Sequence, residues 1–400
     1  GVRHPESSMI ARGAVLVGAA PTVAEELPVE EGATKLGYPS KRHIFGTQWF
    51  APIVRRGFDR TVPVSLGAPG IAADQGVLIL GTGEGELRGF RLNTGAPLWS
   101  VDYQVPFLGP VTVLHGGDAF AVTTSADGTL IAFEITTGEI RWETKLDGES
   151  LAPAVRAGDR LLVTTVDNKV SAVAVNNGER LWTSGRPKPT QLTVRGHGAP
   201  AVAGETVVAA FSDGYVEAYG VGNGRVRWSR PVALGEGSFT DSDAVPTIVD
   251  DRVFVGSYSR GVFALGLDDG RTIWTRRGPA ITSLAVHDDL LVVGSADGFV
   301  WGLQQSDGAS RYRVRLPPGS ASRMSRSDEL IVFASGDAGI VALRGATGEP
   351  LQATPLVGRP GGEADVDGEF VATISSRGYV YVMRRGAAGL ISSRGNWPGP

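Results

Sequence analysis

Two stretches of the sequence carry residues suited to binding another protein: residues 191–200, which read QLTVRGHGAP, and residues 241–246, which read DSDAVP. Neither stretch has the pattern of a catalytic motif. Both fall in long gaps between the repeats described below, where connections leave a packed scaffold and can reach a partner. An exposed aliphatic pair beside an arginine is also a composition common at binding hot spots. We therefore expect the two stretches to form a protein-docking surface.

Residues able to perform catalytic or metal chemistry are few. The absence of cysteine excludes disulfides, thiolate catalysis and zinc–thiolate sites. The five histidines lie far apart in the sequence, so they form no helical metal-binding pair, and no Gly-x-Ser-x-Gly or phosphate-binding glycine loop is present. Recurring Asp-Gly pairs could be calcium ligands, but their position between strands favours hairpin turns. The sequence therefore predicts no catalytic residue, no metal site and no cofactor.

Composition narrows the class of protein further. The chain has 38 basic and 42 acidic residues, for a net charge of −4, so no basic excess indicates nucleic acid as a partner. Apolar residues make up 42% of the chain, which allows a large core. The 56 glycines and 3 methionines favour many tight turns over long helices. No run of eighteen apolar residues predicts a membrane-spanning helix.

An internal repeat organises most of the chain. A glycine is followed four residues later by an aromatic residue in five clear copies, and two degenerate copies follow. The clear copies are Gly95/Trp99, Gly138/Trp142, Gly178/Trp182, Gly224/Trp228 and Gly270/Trp274, and the degenerate ones are Gly308/Tyr312 and Gly348/Gln352. The offset of four is constant while the spacing between copies varies, as expected when variable loops join fixed structural elements.

Each repeat is predicted to be one blade of a β-propeller. Four short strands separated by Gly- or Asp-Gly-containing turns fit into each unit, and this is the signature of a four-stranded antiparallel blade. The strand that precedes each Gly turn occurs eight times, at residues 86–92, 129–135, 169–175, 215–221, 262–267, 299–304, 340–343 and 379–383. The sequence thus predicts an all-β, eight-bladed propeller over residues 56–386, with tails at 1–55 and 387–400. A strand at about 61–66 is expected to complete the last blade and to close the ring.

The repeated tryptophans are expected to pack between blades. A large ring at the start of the outer strand can cover the junction with the neighbouring blade and remove much apolar area from water. A role in ligand stacking is less favoured, because a ligand rarely needs an aromatic residue in almost every blade. The residues with this predicted structural role are Trp99, Trp142, Trp182, Trp228 and Trp274.

The N-terminal region has two interpretations. Residues 9–24 resemble a signal sequence, with a basic start, a short apolar stretch and small residues after it. Leu16, Val17 and Gly18 also match the first three positions of a bacterial lipoprotein cleavage box, but Ala19 stands where the lipidated cysteine would be. The alternative is a flexible apolar tail.

The repeat with its Gly-x-x-x-Trp signature resembles the pyrroloquinoline-quinone-type propeller repeat over about residues 58–384. Within that group, residues 192–200 and 241–246 resemble the BamB family, the lipoprotein subunit of the outer-membrane β-barrel assembly machinery. The resemblance implies a non-enzymatic scaffold at the periplasmic face of the bacterial outer membrane. It implies that the protein docks on the periplasmic domains of the barrel insertase, and unfolded outer-membrane proteins are a further expected partner. Membrane contact is expected only through a partner, or through a lipid anchor that this sequence lacks.

Five partner-binding residues follow from this resemblance: Leu192, Val194, Arg195, Asp241 and Asp243. Two alternatives stay open for them. The aliphatic residues could be buried strand residues with Arg195 paired internally, or the two aspartates could orient Arg195 from one blade over. Two other functions also stay open, namely a ligand-binding sensor propeller with a polar axial pocket and a quinone-dependent dehydrogenase.

Overall fold

The computed structural model describes residues 44–53, 67–187, 198–232, 245–278, 280–317 and 319–386, together with the backbone of 25–26 and 34–35. These residues form eight antiparallel sheets of four strands, and two of the sheets carry a fifth, parallel strand. The first strands of neighbouring blades contact one another around the axis, and blade 8 meets blade 1. The predicted all-β, eight-bladed propeller is therefore confirmed.

Two short strands and one long strand precede the first blade: β1 (Glu25–Glu26), β2 (Thr34–Lys35) and β3 (Phe45–Pro52). Blades 1 to 4 contain, in groups of four from the axis outward, β4 (Gly70–Ala72), β5 (Val77–Gly81), β6 (Glu86–Arg91), β7 (Pro97–Asp102); β8 (Thr112–Leu114), β9 (Phe120–Thr124), β10 (Thr129–Phe133), β11 (Ile140–Lys145); β12 (Val155–Ala157), β13 (Arg160–Thr165), β14 (Lys169–Ala174), β15 (Arg180–Gly185); β16 (Ala201–Ala203), β17 (Thr206–Ala210), β18 (Tyr215–Gly220), β19 (Val226–Pro231).

Blades 5 to 7 contain, in the same order, β20 (Thr247–Val249), β21 (Arg252–Ser257), β22 (Gly261–Gly266), β23 (Thr272–Arg277); β24 (Ile281–His287), β25 (Leu290–Ser295), β26 (Phe299–Gln304), β27 (Ser310–Arg315); β28 (Ser325–Ser327), β29 (Leu330–Ser335), β30 (Gly339–Arg344), β31 (Pro350–Thr354). Blade 8 consists of β32 (Pro360–Asp367), β33 (Phe370–Ser375), β34 (Tyr379–Arg385) and β3. Two 3₁₀ turns, Ala73–Gln75 and Gly336–Ala338, are the helical elements among the described residues, and none of these is long and apolar enough to cross a membrane.

Seven of the eight junctions between blades are closed by an aromatic side chain from one blade and a turn glycine from the next, and Gln352 takes the place of the aromatic residue between blades 7 and 8. Trp142 of blade 2 packs against Gly178 of blade 3, and its indole N–H donates to the carbonyl of Val175 at 3.1 Å. A Cβ on Gly178 would lie 2.5 Å from the Trp142 ring, so the close approach requires glycine. The same arrangement joins Trp49 to Gly95, Trp99 to Gly138, Trp182 to Gly224, Trp228 to Gly270, Trp274 to Gly308 and Tyr312 to Gly348.

The ring is closed by β3, which pairs antiparallel with β34 and forms the outer strand of blade 8. This differs from the expected closing strand at residues 61–66, which lies outside the described residues. β3 carries Trp49, whose indole donates to the Leu92 carbonyl at 2.7 Å in the manner of the other junctions. The repeat pattern could not reveal this strand, because the residue four positions before Trp49 is Phe45 and not glycine.

Two short strands before β3 lie on the rim of the disc. β1 pairs in parallel with β23, the outer strand of blade 5, and β2 pairs in parallel with β27, the outer strand of blade 6. The N-terminal segment therefore adds one strand to each of blades 5, 6 and 8, and residues 44–53 belong to the propeller.

Candidate protein-docking face

The connections between blades emerge on one side of the disc, which we call the loop face. The first predicted docking loop leaves blade 3 after Pro187 and returns at Gly198, and the second leaves blade 4 after Val232 and returns at Val245. The candidate residues Leu192, Val194, Arg195, Asp241 and Asp243 lie outside the described residues. The structure defines the stems of both loops, which leave adjacent blades on the same face.

One turn in blade 4, formed by Ser212, Asp213 and Gly214, holds both stems. The carbonyl of Gly214 accepts the amide of Val232 at 2.8 Å, where the second loop departs. The Asp213 carboxylate accepts a hydrogen bond from the Arg186 side chain, where the first loop departs. The relative position of the two stems is therefore fixed by three consecutive residues.

Arg186 is the main anchor of the first stem. Its guanidinium lies over the ring of Tyr215 at 3.7 Å and donates to the Glu217 carboxylate at 2.8 Å. Burial opposes the charged form, but the hydrogen bonds to Asp213 and Glu217 outweigh it and raise the pKa of Arg186. The guanidinium therefore stays charged and bridges blade 3 to blade 4.

Glu217 is the buried acidic residue of this network. Its side chain is 5% exposed and accepts hydrogen bonds from the Ser229 hydroxyl at 2.8 Å and from the Tyr219 hydroxyl. Burial, together with the bond to Glu217, raises the pKa of Tyr219. A buried carboxylate is tolerated only when it is paired and hydrogen-bonded, and Arg186 supplies the compensating charge.

Asn168 ties the same stem to blade 4 by a second route. It is fully buried in the turn before β14, with φ at 57°, a conformation that asparagine tolerates better than most residues. Its backbone carbonyl accepts the Arg186 amide at 2.9 Å, and its side-chain oxygen accepts the Ser212 amide at 3.2 Å and hydroxyl at 2.9 Å. Sequence reasoning missed Asn168, Arg186 and Glu217, since their partners lie on different blades and leave no local pattern.

A pocket of about 550 Å³ opens at the axis on the loop face. All eight blades line it, mostly through glycine, alanine, serine and proline near the start of each first strand, and the lining includes Gly198, Ala199 and Val245, which directly follow the two loops. Its charged groups come from blades 7 and 8, where Arg323 pairs with Glu363 at 3.1 Å. Arg359 pairs with Asp337 at 2.8 Å beside them. The two loop stems therefore flank the mouth of an axial pocket that carries charged side chains on one side.

The part of the chain that the structure describes contains no group of three or more histidine or acidic side chains that could hold a metal ion. Near the pocket, Asp365 accepts the Ile71 amide at 2.9 Å and so links blade 8 to blade 1. Burial raises the pKa of this carboxyl group, in spite of that hydrogen bond and the nearby Arg323. In the structure, the Asp365 carboxyl group therefore contributes to the closure of the ring between blades 8 and 1.

The fold defines a class: an eight-bladed propeller with pyrroloquinoline-quinone-like repeats. The family of outer membrane protein assembly factor BamB matches residues 83–314, more than half of the chain, and the protein belongs to that family. No curated protein sequence matches the chain.

Solved structures agree on the fold. BamB from Moraxella catarrhalis superposes with a TM-score of 0.70 at 23% identity, covering 85% of this chain and all of that one. The computationally designed protein Ika8 gives 0.63 at 16% identity, covering 88% of this chain and 99% of that one. A quinohaemoprotein alcohol dehydrogenase from Pseudomonas putida HK5 gives 0.64 at 10% identity, covering 87% of this chain and 77% of that one. At these identities the likeness concerns the fold alone.

Proposed function

We propose that this protein is a non-enzymatic scaffold in the assembly of outer-membrane β-barrel proteins, acting at the periplasmic face of the outer membrane. It docks on the periplasmic domains of the barrel insertase through the loops at 188–197 and 233–244. The observation that supports this most is the clamping of both loop stems by the single turn Ser212–Asp213–Gly214, within a chain that belongs to the BamB family. A rigid base under two adjacent loops reduces the ordering cost of binding.

The residues assigned to the contact are Leu192, Val194 and Arg195 on the first loop and Asp241 and Asp243 on the second. The arginine offers a planar fork that suits a carboxylate or backbone carbonyls of the partner. The aliphatic pair supplies apolar area that is removed from water on binding. This assignment rests on the family resemblance of the two loops and on the placement of their stems.

A pull-down with the insertase's periplasmic domains tests the proposal. The double variant Leu192→Ala/Arg195→Ala is expected to lose most of the bound partner while its melting temperature stays within about 2 °C of wild type. Arg225→Ala is the matched control, because Arg225 is an exposed arginine of blade 4 on the opposite face of the disc. A large drop in melting temperature with retained binding would instead show that these residues pack internally.

A ligand-binding role is the second candidate, and the axial pocket with its charged residues from blades 7 and 8 is the observation that favours it. Arg323 lines the pocket and could exchange its Glu363 partner for a carboxylate of a small ligand. Millimolar succinate is then expected to raise the melting temperature of wild type and not that of Arg323→Met. If succinate does not change the melting temperature of wild type, or raises that of both proteins equally, this candidate is removed.

A further inference from the structure

The protein uses two of its own blade edges to bind extended strands. In blade 5, β1 places Glu25 opposite Arg276 and Glu26 opposite Arg277, and in blade 6, β2 places Lys35 opposite Arg315. Arg277 follows the junction residue Trp274 by three positions, and Arg315 follows the junction residue Tyr312 by three. The two strands are therefore seated at the same place on consecutive blades, both in parallel orientation.

The backbone amide at this place points away from the blade. In blade 6 the next amide, that of Leu316, donates to the carbonyl of Gly298 at 2.8 Å, toward the inside of the sheet. Amides of consecutive strand residues point to opposite sides, so the amide of Arg315 faces the outer edge. The same inward bond is made in blades 1, 2, 3, 4 and 8 by Tyr103, Leu146, Arg186, Val232 and Ile53. The residue before each of these amides lies three positions after the junction residue of its blade. We call the residue at this position the rim residue of the blade.

Three blades have proline as the rim residue. They are blade 4 with Pro231, blade 8 with Pro52 and blade 7 with Pro355, which follows the junction residue Gln352 by three. Proline has no amide hydrogen to donate, and edge prolines are a common protection against pairing with another chain. Blades 5 and 6 are covered by the protein's own strands, and blades 4, 7 and 8 are blocked.

Within the described residues, blades 1, 2 and 3 have neither protection. Their rim residues are Asp102, Lys145 and Gly185, and within the described residues their sheets have no fifth strand. Each of their outer strands also carries a large exposed aliphatic side chain: Leu98 at 38%, Ile140 at 36% and Leu181 at 41% exposure. The outward amide and the exposed aliphatic residue lie four or five positions apart on the same outer strand, and both features suit the addition of another strand.

We propose that the outer edges of blades 1 to 3 bind an extended, β-forming segment of a client polypeptide, in parallel orientation, as blades 5 and 6 bind β1 and β2. Apolar side chains on one face of the client strand pack on Leu98, Ile140 and Leu181. The identity of the client, an unfolded outer-membrane protein, rests on the proposed function, whereas the binding mode rests on the blades alone. The site is on the rim of the disc, and in blade 3 its rim residue Gly185 directly precedes Arg186 of the first loop stem.

The experiment titrates the full-length protein with a fluorescein-labelled 12-residue peptide of alternating valine and threonine, followed by fluorescence anisotropy. The test variant is Asp102→Pro/Lys145→Pro, which gives blades 1 and 2 the rim residue that blades 4, 7 and 8 already have. Asp102→Ala/Lys145→Ala is the matched control, because it removes the same side chains and keeps both amides. Gly185 is left unchanged, since its φ of 138° does not accommodate proline.

Wild type and the alanine variant are expected to bind three peptides per ring, and the proline variant one. Both variants lose the ion pair of Lys145 with Asp127 and are expected to melt at the same temperature as each other. Equal stoichiometry in all three proteins, or no saturable binding to wild type, overturns the proposal. If sedimentation shows that wild type self-associates through these edges and the proline variant does not, the occupant is a second copy and the client assignment is overturned. None of these results depends on insertase binding, which the loop variants test separately.

Discussion

The side-chain amide of Gln352 makes hydrogen bonds to both backbone groups of Phe45, 307 residues away. Its oxygen accepts the Phe45 amide at 2.8 Å, and its nitrogen donates to the Phe45 carbonyl at 2.7 Å. The same oxygen accepts the amide of Ile44 at 2.7 Å. In blade 7, Gln352 occupies the position that an aromatic residue has at the other junctions. The neighbouring blade 8 pairs β34 with β3, two strands from distant parts of the sequence, so the chain is interrupted between them. A glutamine is needed there because backbone groups at the break require both a donor and an acceptor.

Replacing Gln352 with alanine is expected to lower the free energy of unfolding by about 3 kcal/mol, since it leaves buried backbone groups without partners. Chemical denaturation measures the change. Gln75→Ala provides the control, because Gln75 is exposed and its truncation is expected to cost under about 0.5 kcal/mol. Equal stabilities for the two variants would show that Gln352 does not hold the ring closed.

The contact between Trp142 and Gly178 predicts a graded response to alanine. Gly178→Ala combines backbone strain, since φ is +74°, with a Cβ placed 2.5 Å from the indole ring, and is expected to cost about 3 kcal/mol. Gly204→Ala carries strain alone, because φ is +51° and nothing lies within 4 Å of the added Cβ, and is expected to cost about 1 kcal/mol. Thermal unfolding of both variants separates the two contributions. A Gly178→Ala variant no less stable than Gly204→Ala contradicts the proposed close packing.

Arg186 is expected to be important for both stability and docking. Arg186→Ala leaves Glu217 buried without its cation and should lower stability by about 3 kcal/mol, together with weaker binding to the insertase domains. Arg180→Ala removes an arginine whose partner Asp147 is about half exposed, so its cost is expected to be below about 0.5 kcal/mol. Glu217→Gln in the Arg186→Ala background should recover part of the lost stability, because the unpaired buried charge is then gone. No recovery would argue against the charge explanation.

The turn before β10 predicts a dependence on acidic pH. Hydrogen bonds from Ser125, the Lys145 ammonium and Thr129 lower the pKa of Asp127, in spite of partial burial. A carboxyl group with a lower pKa in the folded state stabilises that state above its unfolded pKa of about 4, and this contribution is lost as the pH falls further. The stability difference between wild type and Asp127→Asn is therefore expected to be larger at pH 7 than at pH 2.5. Urea denaturation at both values checks this, and a constant difference would contradict it.

The sequence predicted those parts of the fold that are encoded locally. The third strand of blade 4 was expected at 215–221 and is Tyr215–Gly220, because alternating side chains and an Asp-Gly turn are short-range signals. The closing strand Phe45–Pro52 was missed, since its partner strand lies more than 300 residues away and its glycine is absent. The Arg186–Glu217 network was missed for the same reason: partners on different blades share no spacing in the sequence. The five predicted contact residues of the loops lie outside the described residues and stay predictions.

The dissociation constant of the insertase's periplasmic domains tests the central claim most directly. It is to be measured by isothermal titration for wild type, Arg195→Ala and Arg225→Ala, with melting curves of the same samples. The proposed docking surface predicts at least about a tenfold weaker complex for Arg195→Ala, unchanged binding for Arg225→Ala and equal melting temperatures. Wild-type affinity in the Arg195→Ala protein, or no measurable complex with wild type, would contradict the assignment of this face as the docking surface.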